Sequence, residues 1–196
     1  MAQILILSRF TRYCAIGNRY DWWDRMQFGK LIKPVLAGVI VSAVAVSASM
    51  AQTPTKIKQF NAWGAYSYKS SGSKVCYVLS IPTKKEPADR DHGDIFFLVS
   101  QKPGQNVSYE PQVEVGYPFK EGSNVIVDID GKSFSMFTKG RNAWVENAAQ
   151  EPALVKAMRA GRSMSVSGKS RRGTGTSYTY SLSGITAALN EIGKCK

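Results

Sequence analysis

The sequence predicts a mainly β protein, an antiparallel β-sandwich with two short helices. Three observations carry that expectation. Beyond residue 52, apolar and polar residues mostly alternate with a period of two, the pattern of strands with one face buried and one face wet. One Asp-Gly pair, Asp130-Gly131, separates two such runs, and that dipeptide accepts the positive φ angles of a tight hairpin turn. Only two stretches, each closed by a glycine, carry helical spacing.

Taken in order, strands are expected over Phe60–Tyr68, Lys74–Ile81, Ile95–Ser100 and Val113–Tyr117. Pro82 to Gly93 (PTKKEPADRDHG) reads as a polar loop between strands. A hairpin follows: Val125, Val127 and Ile129 lie on one face before Asp130-Gly131, and Phe134 and Met136 after it. Pro152 opens the helix ALVKAMRA and Gly161 ends it, with Leu154 and Met158 one turn apart on one face. A second hairpin sets Met164 and Val166 against Tyr178, Tyr180 and Leu182, with hydroxyl residues on the opposite face. Ser183 is placed to cap the last helix, Ile185–Ile192, which pairs Ile185 with Leu189 and stops at Gly193.

The first fifty residues are set apart. The apolar run Val35–Val46 follows Lys30 and Lys33 and leads into SASMAQ, the basic, apolar and small-residue order of an export signal. Cleavage is expected after Ala51, with Ala48 as the second choice. An uncleaved membrane anchor is the alternative, although the run is shorter than the 20 or so residues of a spanning helix. Residues 1–25 hold two tryptophans, two aspartates and four arginines, unusual ahead of such a signal. Met26 begins a signal of ordinary length, so Met26 is the expected start of translation and Met1 the alternative. The chain thus divides into an export region, 1–51, with the signal peptide at 26–51, and a single domain, 52–196. The expected location is the periplasm or outer membrane, or outside the cell.

The whole chain of 196 residues has a formal charge of +12, one histidine and three cysteines. A zinc site of several histidines and a disulfide-dense miniprotein are both excluded. Cleavage removes six basic and two acidic residues and leaves 145 residues at +8. It also removes Cys14, leaving Cys76 and Cys195 as an even pair in an oxidising compartment. A disulfide between them is expected; two free thiols are the alternative.

Several local patterns bear on chemistry. Gly168–Ser170 (GKS) resembles the end of a phosphate loop, but Gly161 lies too far upstream and a strand, not a helix, should follow. Asp89, Asp91, His92 and Asp94 cluster in one segment. They read as a solvated turn, since the calcium-loop register fails at Gly93 and Ser100. His92 has no G-x-S-x-G nucleophile to serve, and Cys76 is a nucleophile only if unpaired. Lys169, Arg171 and Arg172, among Gly173 and Gly175, form a candidate anion-contact loop; a soluble hairpin tip is the plainer reading. Trp63 and Trp144 read as core or sheet-face aromatics. No catalytic residue, cofactor, metal or nucleic-acid partner is expected.

Four blocks together carry a resemblance. They are VGYPFKEGS at Val115–Ser123, Phe134–Phe137 with AWVENA at Ala143–Ala148, LVKAMRAG at Leu154–Gly161, and SGKSRRGTGTSYTYSLSGITAAL at Ser167–Leu189. With Cys76 and Cys195, they resemble the invasion-associated locus B family of exported bacterial proteins. The resemblance spans Phe60 to Cys195. It implies an immunoglobulin-like β-sandwich, export, a link to host-cell invasion in some members, and no established catalytic residues. The expected function is that of a non-enzymatic exported interaction protein whose partner is an envelope or host-surface component. The alternative is a periplasmic or outer-membrane binder of anionic ligand, such as lipopolysaccharide or an acidic lipid surface.

Overall fold

The structure, a computed structural model, describes residues 53–195. The expected signal peptide, the cleavage point after Ala51, the start at Met26, and Cys14 lie outside the described residues. The strands are β1 (Thr55–Phe60), β2 (Trp63–Ser70), β3 (Ser73–Ser80), β4 (Lys84–Glu86), β5 (Phe96–Lys102), β6 (Val107–Glu114), β7 (Asn124–Ile129), β8 (Lys132–Lys139), β9 (Asn142–Val145), β10 (Ser163–Lys169) and β11 (Gly175–Ser181). The helices are α1 (Glu151–Ala160) and α2 (Ile185–Ile192). The fold is mainly β with two short helices, as the sequence predicts.

All the strands belong to one antiparallel sheet, in the order β1-β2-β3-β5-β6-β9-β8-β7-β10-β11-β4. The sheet turns back on itself, so two of its regions face each other and form the two layers of the sandwich. Trp63 of β2 donates its indole N–H to the Ser181 carbonyl of β11, 3.0 Å away. Phe97 of β5 meets Tyr180 of β11 edge to face, with ring centroids 5.9 Å apart. Trp63, Phe97 and Tyr180 are fully buried, as are Val127, Met136 and Met164 from the strands between. This is the alternation read from the sequence, turned inward.

The helices cover part of the sheet with the residues their spacing selects. Leu154 and Met158 of α1 are buried, as are Ile185, Ala188, Leu189 and Ile192 of α2. α2 lies on β2 and β3, and α1 packs beside β6. Each large apolar side chain buried in this way contributes roughly 1.5–3 kcal/mol. Cys195, just beyond α2, is bonded to Cys76 of β3 with a Cα–Cα distance of 6.1 Å. The bond fixes the chain end to the buried face of the sheet.

Some boundaries differ from expectation. Phe60–Tyr68 is not one strand: Asn61, at φ +48°, turns the chain between β1 and β2. The Pro82–Gly93 segment is not wholly a loop, because Lys84–Glu86 pairs with Ser177–Thr179 of β11. The strand expected at Val113–Tyr117 begins earlier, at Val107, and ends at Glu114. Ser183 does not cap α2. Gly184 takes that position at φ +90°, where a Cβ would overlap the Phe60 carbonyl. The Ser183 hydroxyl instead accepts a hydrogen bond from Asn61 Nδ2 at 3.0 Å.

Candidate functional site

Three segments distant in sequence meet at one end of β11. The first is the chain after β4, which must lie beside β11 because β4 pairs with it. The second is Tyr117-Pro118, between β6 and β7. The third is the β10–β11 turn, Ser170–Thr174, drawn tight by Gly173 N–H to Ser170 O (2.8 Å) and Ser170 N–H to Thr174 O (2.9 Å). Arg171 N–H donates to the Pro118 carbonyl at 2.9 Å and so ties the turn to the second segment. The first and second segments cross at two glycines. A Cβ on Gly116 would overlap the His92 carbonyl and lie 2.6 Å from Gly93 Cα. Only backbone fits there, and the contact brings His92 toward Tyr117.

Between the segments lies a pocket of about 340 Å³. A chain of hydrogen bonds runs along its buried side. His92 Nε2 is 2.9 Å from the Pro87 carbonyl. A carbonyl only accepts, so Nε2 carries a proton. In the neutral ring Nδ1 then accepts, and the Tyr178 hydroxyl donates to it over 2.8 Å. Tyr178 accepts from Tyr117 at 2.8 Å, and Tyr117 accepts from Thr176 Oγ1 at 2.7 Å. Thr176 Oγ1 also lies 3.3 Å from the Gly168 carbonyl, so its single proton is shared between that oxygen and Tyr117; from Tyr117 to the Pro87 carbonyl every proton points the same way. Burial raises the Tyr178 phenol far above its ordinary pKa, and the bond with Tyr117 adds to this. It stays protonated. His92 and Tyr178 are both buried, so the chain is a fixed floor beneath the pocket.

The rim is cationic. Arg90, Arg171 and Arg172 line it, with Asp91 as the acidic member. Arg171 and Arg172 make no ion pair among the described residues, and Arg90 reaches only Asp89, at 3.6 Å on the exposed surface. Asp91 Oδ1 accepts the Gly93 amide at 2.8 Å, which leaves its second oxygen facing no protein donor among the described residues. Guanidinium groups left in this condition offer paired N–H donors to an oxyanion.

The two segments that read separately as solvated turns are therefore the two walls of one pocket. Of the candidate anion-contact residues, Arg171 and Arg172 line it and Lys169 does not. Lys169 borders a shallower groove beside Lys120 and Glu121. Among the described residues no three acidic, cysteine or histidine side chains converge as a metal site. Asp89 and Asp91 are engaged as described, and His92 has both nitrogens occupied. The Gly168–Ser170 stretch closes β10 and turns into β11, not into a helix. Cys76 is disulfide-bonded to Cys195. Trp63 is in the core, and Trp144 stacks on Phe137 on the outer sheet face, centroids 5.7 Å apart.

Arg90, Tyr117, Thr176 and Tyr178 escaped the sequence reading. Tyr178 shares the apolar face of its strand with Tyr180, so alternation marks it as core, which it is. Nothing in the local pattern distinguishes a hydroxyl that reaches His92 from one that reaches nothing. Tyr180 supplies the contrast: its hydroxyl is buried with no hydrogen-bond partner among the described residues.

Residues 63–193 match the family model described as invasion associated locus B (IalB) protein. The chain belongs to the invasion associated locus B family. The family match takes in the pocket, the hydrogen-bond chain beneath it and both helices. A crystal structure of invasion associated protein b from Bartonella henselae is similar at 14% identity, covering 72% of this chain and 95% of that one, with a TM-score of 0.48. No curated protein matches the chain. No helix among the described residues is long and apolar enough to cross a membrane.

Proposed function

We propose that this family member is an exported, non-enzymatic interaction protein that acts through its surface on an envelope component or a host-cell surface. The non-enzymatic part draws support from the surroundings of the sole histidine: its ring nitrogens bond to the Pro87 carbonyl and to the hydroxyl of Tyr178, a buried phenol and not an exposed nucleophile. The Tyr178 phenol, raised by burial, is no base either. Export is supported by the signal-like order at Lys30–Ala51 and by the buried Cys76–Cys195 bond, a feature of oxidising compartments. Processing after Ala51 is part of the proposal, as is the domain 52–196. The N-terminus of protein recovered from the periplasm, read by mass spectrometry, tests it. Met1 or Met26 retained on soluble protein rejects processing. Mutating the Met26 codon should abolish expression, and undiminished product would show that Met1 is used. Cross-linking in whole cells, followed by identification of what is captured, tests the partner class.

A second reading, binding of an anionic ligand such as lipopolysaccharide or acidic lipid, draws support from the arginine rim of the pocket. Vesicles containing phosphatidylglycerol test it. Binding that weakens with added salt supports it, and no binding at low salt rejects it.

A further inference from the structure

We propose that the pocket between the Pro87–His92 segment and the Ser170–Thr174 turn is a binding site for a phosphorylated sugar, free or carried on a lipid. The proposal rests on the second reading above and narrows it to one cavity and one ligand chemistry.

The charge selects an anion. Arg90 comes from one wall and Arg171 and Arg172 from the other. Against them stand Asp91 in the lining and Asp89, which reaches Arg90 at 3.6 Å on the exposed surface, so the rim keeps a net positive charge. Arginine's planar donors suit phosphate oxygens, which take two N–H bonds from one side chain. The size asks for more than an oxyanion. A volume of about 340 Å³ falls at the lower end of small-molecule sites, roughly 300–1,000 Å³.

The rest of the lining describes what fills the remainder. The Tyr117, Pro87 and Pro118 rings offer apolar faces, and Ser170 and Thr174 offer hydroxyls. Asp91 is the telling member. A carboxylate weakens a site built for a bare anion, but its unengaged oxygen accepts the hydroxyl of a sugar. A ring with several hydroxyls and one phosphate uses every part of this lining, and an acyl chain or a bare phosphate does not. The fixed floor matters as well. His92, Tyr178, Tyr117 and Thr176 hold the walls apart before any ligand arrives, which lowers the cost of ordering the site on binding.

Calorimetric titration of the purified protein tests this with glucosamine 1-phosphate, glucosamine and inorganic phosphate as probes. Glucosamine 1-phosphate should bind more tightly than either fragment. Two double variants with equal charge loss then separate the pocket from general attraction. Arg171→Ala with Arg172→Ala should weaken binding by about tenfold or more. Lys120→Ala with Lys169→Ala, which alters the neighbouring groove, should leave it unchanged. These four side chains are exposed, and equal melting temperatures verify that each variant is folded. Vesicles bearing lipid A, a phosphorylated glucosamine disaccharide carrying acyl chains, distinguish the source. Displacement from them by glucosamine 1-phosphate supports a lipid headgroup in the pocket. Binding of the soluble sugar without vesicle binding supports the free ligand. Equal losses in the two double variants would overturn the pocket assignment. So would failure to bind glucosamine 1-phosphate while phosphatidylglycerol vesicles still bind, with the anionic reading left intact. No binding to any anionic probe removes both.

Discussion

Tyr178 donates its phenolic proton to Nδ1 of His92 over 2.8 Å, while Tyr180, two residues along the same face of β11, has an equally buried hydroxyl with no partner among the described residues. One strand thus presents two phenols with opposite energetic roles.

The two should respond oppositely to loss of the hydroxyl. Tyr178→Phe leaves His92 Nδ1 and the Tyr117 hydroxyl short of a partner, and stability should fall by about 1–3 kcal/mol. Tyr180→Phe removes a buried group that is desolvated without a bond. It should cost nothing and add on the order of 1 kcal/mol. Urea unfolding midpoints at neutral pH check both, and a loss in Tyr180→Phe equal to that in Tyr178→Phe would contradict the assignment.

Both phenols also make stability sensitive to alkali. Burial raises Tyr178 and Tyr180 above the ordinary tyrosine value, which is about 10. The folded chain keeps these protons where the unfolded chain gives them up. Their contribution is intact below pH of about 10 and is lost as pH rises beyond it, by about 1.4 kcal/mol per pH unit for each phenol. Unfolding midpoints compared between about pH 9 and pH 11 should fall more steeply for the wild type than for Tyr180→Phe. Parallel slopes would show that Tyr180 is not held protonated.

The disulfide should be a staple, not a redox centre. Cys195→Ser should cost about 2–5 kcal/mol and lower the melting temperature. Adding Cys76→Ser should cost little more, because the bond is already gone. Wild-type protein treated with reductant should melt with the Cys195→Ser variant. Two free thiols titrated in denatured, unreduced protein from the periplasm would refute the pairing.

The glycine crossing supplies a fourth test. Gly116→Ala drives a methyl into the His92 carbonyl and Gly93, and such overpacking costs about 1–3 kcal/mol. Because the contact sets the spacing of the pocket walls, ligand binding should weaken as well. Gly175→Ala, with nothing within 4 Å of the added carbon, should change neither.

Much of the fold was legible because periodicity and turn chemistry agreed. The β7–β8 hairpin shows this best. Val125, Val127 and Ile129 are buried, and Asp130 and Gly131 both have positive φ, +51° and +80°, as the Asp-Gly pair predicts. Of the strands that were missed, β9 alternates over only four residues, Asn142–Val145, too short a run to mark a strand, and the other two carry no alternation. β1 and β4 are almost wholly exposed, so no apolar alternation marks them. Their conformation comes from partners, β2 for one and β11 for the other. The pocket was hidden for the same reason. Arg90 and Arg171 are 81 positions apart, and each sits in a segment whose polarity looks like solvation until β4 pairs with β11. The expected export signal was read from composition alone and lies outside the described residues.

The sheet order ends in β1 on one side and β4 on the other, so among the described residues two strand edges have no partner. An open edge is a template on which another chain can add a strand. β4 is only three residues long, and its Lys84 already pairs with Glu86. β1 is the longer edge and carries Lys56 and Lys58, neither in an ion pair among the described residues. A second copy approaching β1 edge to edge would bring lysine against lysine. On that side the basic side chains therefore discourage a crowded population of these molecules from polymerising through their backbones.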